Sequence, residues 1–292
     1  MADQAQRASE LVLTASGTPY HTHLDAAHLA DNVLLVGDPE RVNMFKHILD
    51  HVDHESVNRE IHVLCGPYQG VPFTVLSTGM GCDNIDIVLT ELDVAANVNP
   101  ATGTPYPTHR SLRMVRIGTC GSLHADLPCG SAVASAYAVG LDGLLNYYQH
   151  GSAGFAPELE EAFCQHVETG RRMARPYAVS AGETLMQHVA HDMPQGITVT
   201  APGFYAPQGR LIRVSPTLSH LNEQLASFQW KGLRINNLEM ETSGIYGMAR
   251  MLGHEALTVC LVIANRATGQ FFNQYEAEMR TLLQRVMQRL IN

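Results

Sequence analysis

The sequence predicts a single α/β domain built around a largely internal sheet, and three features carry that expectation. Short β-branched runs repeatedly end in glycine-rich turns and give way to segments with apolar residues at helical spacing. No Pro/Ser-rich linker, charge block, low-complexity run or fixed-period repeat divides the chain. Its 292 residues, 45% hydrophobic, can bury a substantial core in one body. The expected organisation is a flexible N-terminal segment, 1–17, followed by the domain, 18–292.

The first strand is read at 33–36. It runs into Gly37-Asp38-Pro39-Glu40-Arg41, where Asp can cap and Pro can occupy the first turn of a helix over 39–47. A second strand, 71–77, ends in Thr78-Gly79-Met80-Gly81 and leads to a helix at 83–92. The Pro- and Thr-rich stretch 97–110 reads as a surface loop. Strands follow at 112–117, closed by the turn Gly118-Thr119-Cys120-Gly121, and at 131–139. Beyond these the pattern gives a helix at 158–173, and strands at 177–180 and 197–200 around a helix at 184–191. It closes with a small-residue helix at 239–252, a long buried strand at 256–264 and an amphipathic helix at 274–290. Ligands in such folds bind beyond the carboxyl ends of the strands.

Composition narrows the function. A formal charge of −9 argues against a nucleic-acid surface, which needs clustered Lys and Arg. No apolar stretch reaches the roughly 18 residues that span a bilayer, and the N-terminus lacks the basic start and apolar core of a signal peptide. A cytoplasmic protein is expected, without nucleic-acid or membrane partners. Six scattered cysteines with no CxxC pair read as reduced thiols. Fifteen histidines include pairs with ligand-like spacing, His21/His23, His51/His54 and His188/His191 with Asp192, but these lie in unrelated polar segments and no metal site is expected. Walker, GxGxxG and GxSxG patterns are all absent, so neither a nucleotide cofactor nor a serine triad has its signature.

Several residues suggest chemistry. The turn at Gly37 offers backbone N–H groups at a helix start, with Arg41 one turn on, which suits a small anion; an ordinary βα turn with an exposed Arg is the alternative. Arg116 sits inside an apolar run and must find a carboxylate or a ligand when folded, and Thr119 adds a hydroxyl nearby. The segment 204–210 places Phe204, Gln208 and Arg210 in one loop able to stack on a planar base and bond its edge, although a plain solvent loop has the same composition. Glu239-Met240-Glu241 opens a helix, where carboxylates suit the dipole and one could instead bind vicinal hydroxyls.

Taken together these residues resemble the nucleoside phosphorylases. The markers stand in order: Tyr20-His21, GDPERV at 37–42, NRE at 58–60, STGMG at 77–81, RIGTCG at 116–121, FYAPQGR at 204–210, NLEMET at 237–242 and ANR at 264–266. The resemblance implies a central mixed sheet partly closed into a barrel and flanked by helices, a homodimer as the minimal active unit, and commonly a hexamer of three dimers. It implies inorganic phosphate as co-substrate and no cofactor, with phosphate bound by Gly37, Arg41, Arg116 and Thr119, and Arg59 arriving from the neighbouring subunit. Ribose would lie among Thr119, Met240 and Glu241 with a partner's His21, or His23, at the 5′-hydroxyl. Gln208 and Arg210 would read the base edge, Phe204 would pack on it and Arg266 would support Arg210. A Gln-x-Arg pair implies a pyrimidine, hence reversible phosphorolysis of uridine to uracil and ribose 1-phosphate. Purine-cleaving relatives tend to carry Ser-Asp where this chain has Asn265-Arg266. A purine enzyme, a nucleosidase using water on the same scaffold, and a non-catalytic nucleoside binder are the competing readings. Cys120, where many relatives have Thr, the Cys82-Asp83-Asn84 turn and the long 97–110 loop depart from the pattern; they put an interface cation and the tolerance of 2′-deoxy or 5-methyl substrates in doubt.

Overall fold

The computed structural model describes residues 9–152 and 154–292. In chain order its elements are β1 (Asn32–Val36), α1 (Pro39–Phe45), β2 (His54–Asn58), β3 (Ile61–Tyr68), β4 (Val71–Ser77), α2 (Cys82–Asn97), β5 (Val98–Asn99), β6 (Thr104–Pro105) and β7 (Arg113–Ser122). There follow β8 (Ala132–Gly140), α3 (Pro157–His166), β9 (Tyr177–Ser180), α4 (Glu183–Val189), β10 (Gln195–Thr200) and α5 (Leu221–Ser227). The chain closes with β11 (Gln229–Trp230), β12 (Leu233–Glu239), α6 (Thr242–Met251), β13 (Glu255–Asn265), β14 (Gln270–Phe271) and α7 (Glu276–Ile291).

The main sheet has 12 strands and runs β11-β12-β10-β8-β13-β7-β1-β4-β3-β2. An additional β12–β7 pairing joins the two ends of the stretch β12-β10-β8-β13-β7 and closes it into a five-stranded mixed barrel. β1, β4, β7 and β13 run parallel and are apolar almost throughout, because helices cover them. Their side chains pack with α2, α6 and α7 into the principal core, including Leu34, Ile85, Val115, Leu257 and Leu283. A second core under α3 and α5 holds Phe163, Ile197, Leu225 and Phe228.

Two local differences from the sequence reading matter for the site. The glycine-rich stretch 118–121, read as a turn, is strand: β7 stays in register with β13 through Thr119↔Leu261 and turns to meet β12 at Gly121↔Leu238. Its glycines serve close approach, since a Cβ on Gly118 would lie 1.9 Å from Arg116 Nη1. Glu239, read as the first residue of a helix, instead ends β12, and α6 starts at Thr242. Its carboxylate still serves the helix, accepting the N–H groups of Glu241 (2.9 Å) and Thr242 (3.0 Å).

Elsewhere the helix expected over 158–173 stops at His166, where Val167 turns extended and the residues after it are exposed and polar. The loop 97–110 contains the small β5–β6 ladder and is pinned by Asn97, whose Oδ1 accepts the Arg110 N–H at 2.6 Å. The hairpin β2–β3 went unread because β2 is polar at every residue but Val57 and β3 carries Gly66-Pro67. Within the N-terminal segment, residues 1–8 lie outside the described residues, and Leu13 bridges Pro19 across a Thr14–Thr18 turn. No helix of the described residues is long and apolar enough to cross a membrane.

Gly66 gives a test of the packing. A Cβ there would meet the His51 carbonyl oxygen at 2.1 Å, a backbone atom with little freedom to move. Gly66→Ala should therefore lower unfolding free energy by about 2 kcal/mol or more. Urea melts with unchanged midpoint would refute the close approach.

Candidate active site

A cleft of about 540 Å³ opens where β1, β4, β7 and β12 end. At one end, Asp38 caps α1 by accepting the Glu40 N–H at 2.9 Å, and Pro39 takes the first helical position. This fixes Gly37 and Arg41 in the cleft wall. Arg41 is only 8% exposed, so it is not the solvent arginine of an ordinary turn. It donates to the Ile117 carbonyl at 3.2 Å, and among the described residues no carboxylate lies within ion-pair distance of it. Burial pushes its pKa below the ordinary arginine range, with Tyr275 opposing and Arg116 reinforcing the shift. A buried guanidinium in this setting lacks an anion.

Arg116 is buried as well, but it has two carboxylates. Nη2 donates to Glu241 Oε2, while Nη1 lies 3.3 Å from Glu239 Oε2 and 3.3 Å from Cys260 Sγ. Its Nε is buried without a partner. Burial alone would lower the pKa of this guanidinium; Glu241 and Glu239 outweigh it and raise the value. Glu241 is pushed above the usual carboxylate range by burial, against the pull of Arg116 and with Glu239 adding to the rise. The other oxygen of Glu241 accepts the Gly81 N–H at 2.8 Å, and Gly81 takes φ 95° to offer it, a conformation open to glycine. Glu239 is held harder: besides its two backbone donors it accepts the Thr200 hydroxyl at 2.7 Å. Thr119 and Met240 line the space between these groups.

The far end is formed by the 204–210 loop. Gln208 is 3% exposed, and its Oε1 accepts Arg210 Nη1 at 2.6 Å. The same Arg210 Nη1 donates to the Phe204 carbonyl, and the guanidinium stacks 3.7 Å above the Phe204 ring. Burial and the like charge of Arg266 push the Arg210 pKa down to about 10, which leaves it charged at neutral pH. Arg266 was expected to support Arg210. It donates to the backbone carbonyl of Gln208 at 3.1 Å, in the loop that carries Arg210. The neighbouring Asn265 is buried and engaged with the His124 and Leu127 carbonyls and the Ala267 and Thr268 N–H groups.

The structure thus brings Gly37, Arg41, Arg116, Thr119, Phe204, Gln208, Arg210, Met240 and Glu241 to one cleft. It does not bring Arg59 or His21 into the same chain's cleft. Arg59 is exposed at the tip of the β2–β3 hairpin with φ 55°, a left-handed conformation that costs a non-glycine residue about 1 kcal/mol. His21 Nδ1 lies 2.6 Å from Glu91 Oε1, and the Glu91 carboxylate also accepts the His21 and Thr22 N–H groups. His23 lines a separate depression with Asp25.

Sequence reasoning did not assign Glu239 as the partner of Arg116, nor Glu60, Asn84, Ile263 and Phe271 to the cleft wall. Glu239 could have been found from its place two residues before Glu241. Cys260 lies in a continuous apolar run and carried no signal.

The histidine pairs do not converge on shared ligands: His51 faces Asp53, His54 stacks on His28, His188 bonds the Thr184 carbonyl and Asp192 is held by Arg285 and Arg289. Asp93, His109 and His254 do cluster, at the opposite end of β13. There Nδ1 of His254 accepts the Leu112 N–H, so the neutral ring keeps its proton on Nε2, which faces Asp93 at 3.2 Å. The third member, His109, places its Nε2 2.9 Å from the Leu252 carbonyl.

A closed mixed barrel whose mouth joins buried arginines, a carboxylate pair and an amide–guanidinium loop is built for an anion and a polar organic group together. The chain belongs to the phosphorylase superfamily, which it matches over residues 31–292. It is accordingly an enzyme of the pentosyltransferase class.

Similar proteins include a uridine phosphorylase of Thermococcus kodakarensis, 29% identical over 273 residues, covering 91% of this chain and 84% of that one. A purine nucleoside phosphorylase of Colwellia psychrerythraea is 26% identical, covering 88% of this chain and 92% of that one. Among solved structures, a Trypanosoma brucei nucleoside phosphorylase described as showing uridine phosphorylase activity superposes with a TM-score of 0.86 at 27% identity, covering 96% of this chain and 99% of that one.

The ion cluster makes a stability prediction. Arg116→Ala leaves Glu239 and Glu241 buried without their cation and should cost about 3–5 kcal/mol at neutral pH. Glu241, already raised by burial, loses the pull of Arg116 in the variant and its folded-state pKa moves further above the unfolded one, so the deficit grows as pH rises through that window and shrinks as pH falls. Denaturant melts of variant and parent at pH 7 and pH 5 check this; a deficit independent of pH would refute it.

Proposed function

We propose that this chain catalyses the reversible phosphorolysis of uridine to uracil and ribose 1-phosphate, with inorganic phosphate as co-substrate and no cofactor. The observation that carries this reading is the pairing of Gln208 with Arg210 at one end of a cleft whose other end holds Arg41, a buried cation without a carboxylate. Phosphate is assigned to Gly37, Arg41, Arg116 and Thr119, and the sugar to Thr119, Met240 and Glu241. Gln208, Arg210 and Phe204 take the base, and Arg266 acts through the Gln208 backbone. Arg59 of the partner subunit completes the phosphate site and His21 of the partner subunit reaches the 5′-hydroxyl, so a homodimer is the minimal active unit, with a hexamer of three dimers as the expected assembly. The exposed, strained Arg59 at a hairpin tip suits a residue that serves a neighbour's cleft.

The chemistry follows from where charge develops. The glycosidic bond breaks through an oxocarbenium-like ribosyl cation, with uracil departing on one face and phosphate closing from the other, so configuration inverts. Glu241 accepts hydrogen bonds from the ribose hydroxyls and offsets the ring's positive charge. The arginines hold phosphate in line and exclude water. Negative charge gathering on uracil falls beside Arg210 and the Gln208 amide, whose Oε1 has a second lone pair for the ring N–H while Nε2 donates to a carbonyl. A purine relative's Asp can hand a proton to its leaving base; Arg266 stands at that position and supports a base that departs as a stabilised anion. The relatives carry both uridine and purine names, so the base is decided by assay.

Release of base from uridine, thymidine, inosine and adenosine, with and without phosphate, tests the reading. Phosphate-dependent release of uracil is the expected result; release without phosphate, or from purine nucleosides alone, would overturn it. Arg116→Ala should abolish phosphorolysis even at saturating phosphate. Gln208→Ala should weaken uridine far more than inosine.

Subunit sharing has its own check. Arg59→Ala and Arg116→Ala are each expected to be inactive, but mixed dimers of the two regain one intact site, giving about a quarter of the parental activity after random exchange. No recovery on mixing would place Arg59 outside the neighbour's site.

A further inference from the structure

Under the proposed function the two substrates compete for the halves of one ion pair. Arg116 Nη2 and Glu241 Oε2 are bonded to each other, and both side chains are buried. Phosphate would claim the guanidinium, and the ribose diol would claim the carboxylate. Either ligand arriving alone pulls the pair apart and leaves one buried charge with less compensation than before, a costly state for a buried group. When both arrive, each charge has a new partner and that penalty disappears.

The surroundings decide which carboxylate exchanges. Glu239 is fixed by the Thr200 hydroxyl and by the Glu241 and Thr242 N–H groups, and stays 3.3 Å from Arg116 Nη1. Glu241 has the Gly81 N–H on one oxygen and Arg116 on the other, so only the arginine bond need open for it to turn to a sugar. The buried Nε of Arg116 has no partner and leaves the guanidinium one N–H to donate.

We infer that the Arg116–Glu241 pair is an exchangeable contact that couples the two subsites, so that anion and nucleoside bind with positive cooperativity, and that Glu239 is the positioning residue that keeps Arg116 in place during the exchange. The inference rests on the reading of the cleft given above. Thermodynamic linkage makes the effect reciprocal: the nucleoside tightens the anion by the same factor as the anion tightens the nucleoside. The factor should be on the order of tenfold, within the usual range of such couplings.

Sulfate, an unreactive tetrahedral dianion, lets the coupling be measured without turnover. It is titrated calorimetrically into the enzyme alone, with saturating uridine, and with saturating 2′,3′-dideoxyuridine, which lacks the hydroxyls that Glu241 would accept. Uridine should tighten sulfate roughly tenfold and the dideoxy nucleoside should leave it nearly unchanged. Glu241→Gln removes the competing carboxylate, so sulfate should bind this variant several-fold more tightly than the parent, and uridine should no longer change it. Equal tightening by both nucleosides, or none by either, would overturn the coupling while leaving the cleft assignment intact. Failure of both nucleosides to bind even at saturating sulfate would overturn the cleft assignment, and the coupling with it.

Discussion

A guanidinium taken out of water must be met by negative charge, and the organisation of the cleft turns on how Arg116 is met. Its two carboxylates come from β12 and from the residue that precedes α6, while Arg116 itself lies on β7. They can meet because the β12–β7 pairing closes the barrel and sets Leu238 against Gly121. Open that pairing and the ion cluster has no common origin. Gly118 contributes by absence, since any side chain there would occupy the place of the guanidinium.

The rest of the site is arranged around that fixed point. Glu239 links Arg116 to Thr200 on β10 and to the first N–H groups of α6, so three elements of the barrel share one carboxylate. Glu241 ties the same cluster to Gly81 at the start of α2. Arg41 sits beside it as a buried cation that meets the Ile117 carbonyl and Tyr275 but no carboxylate, which gives the cleft an unmet positive charge at one end. The 204–210 loop closes the other end and is stiffened from within by Arg210 on Phe204 and from behind by Arg266 on the Gln208 backbone. Burying so many charged groups in one place sacrifices stability for a prearranged field, the usual position of an enzyme cleft.

Much of this was legible in the sequence because it rests on local signals. β1, β4 and β9 were read to within a residue, since each is a short apolar run bounded by turn residues. The cap at Asp38 and the proline that starts α1 were visible for the same reason. Of the cleft residues, Arg116 stood out as a charge inside an apolar run, and the Phe204–Arg210 loop as a cluster of recognition groups. What was misread shows the limit of such signals. Four residues of Gly-Thr-Cys-Gly have turn chemistry locally, yet β13 on one side and β12 on the other hold them as strand. The contact of Arg266 with the Gln208 carbonyl was not legible because a backbone carbonyl has no mark in the sequence.

By itself, then, the sequence determined the α/β alternation, the order of the elements and the residue types available for an anion and a base, all set by short-range periodicity, turn chemistry and charge. Tertiary structure alone decided that Glu239 and Glu241 share Arg116, that Arg41 is buried without a carboxylate, and that Arg59 and His21 do not line their own chain's cleft. The reason is that the partners of Arg116 lie more than a hundred residues away in the chain. Only barrel closure brings them within bonding distance, and no local pattern encodes that pairing.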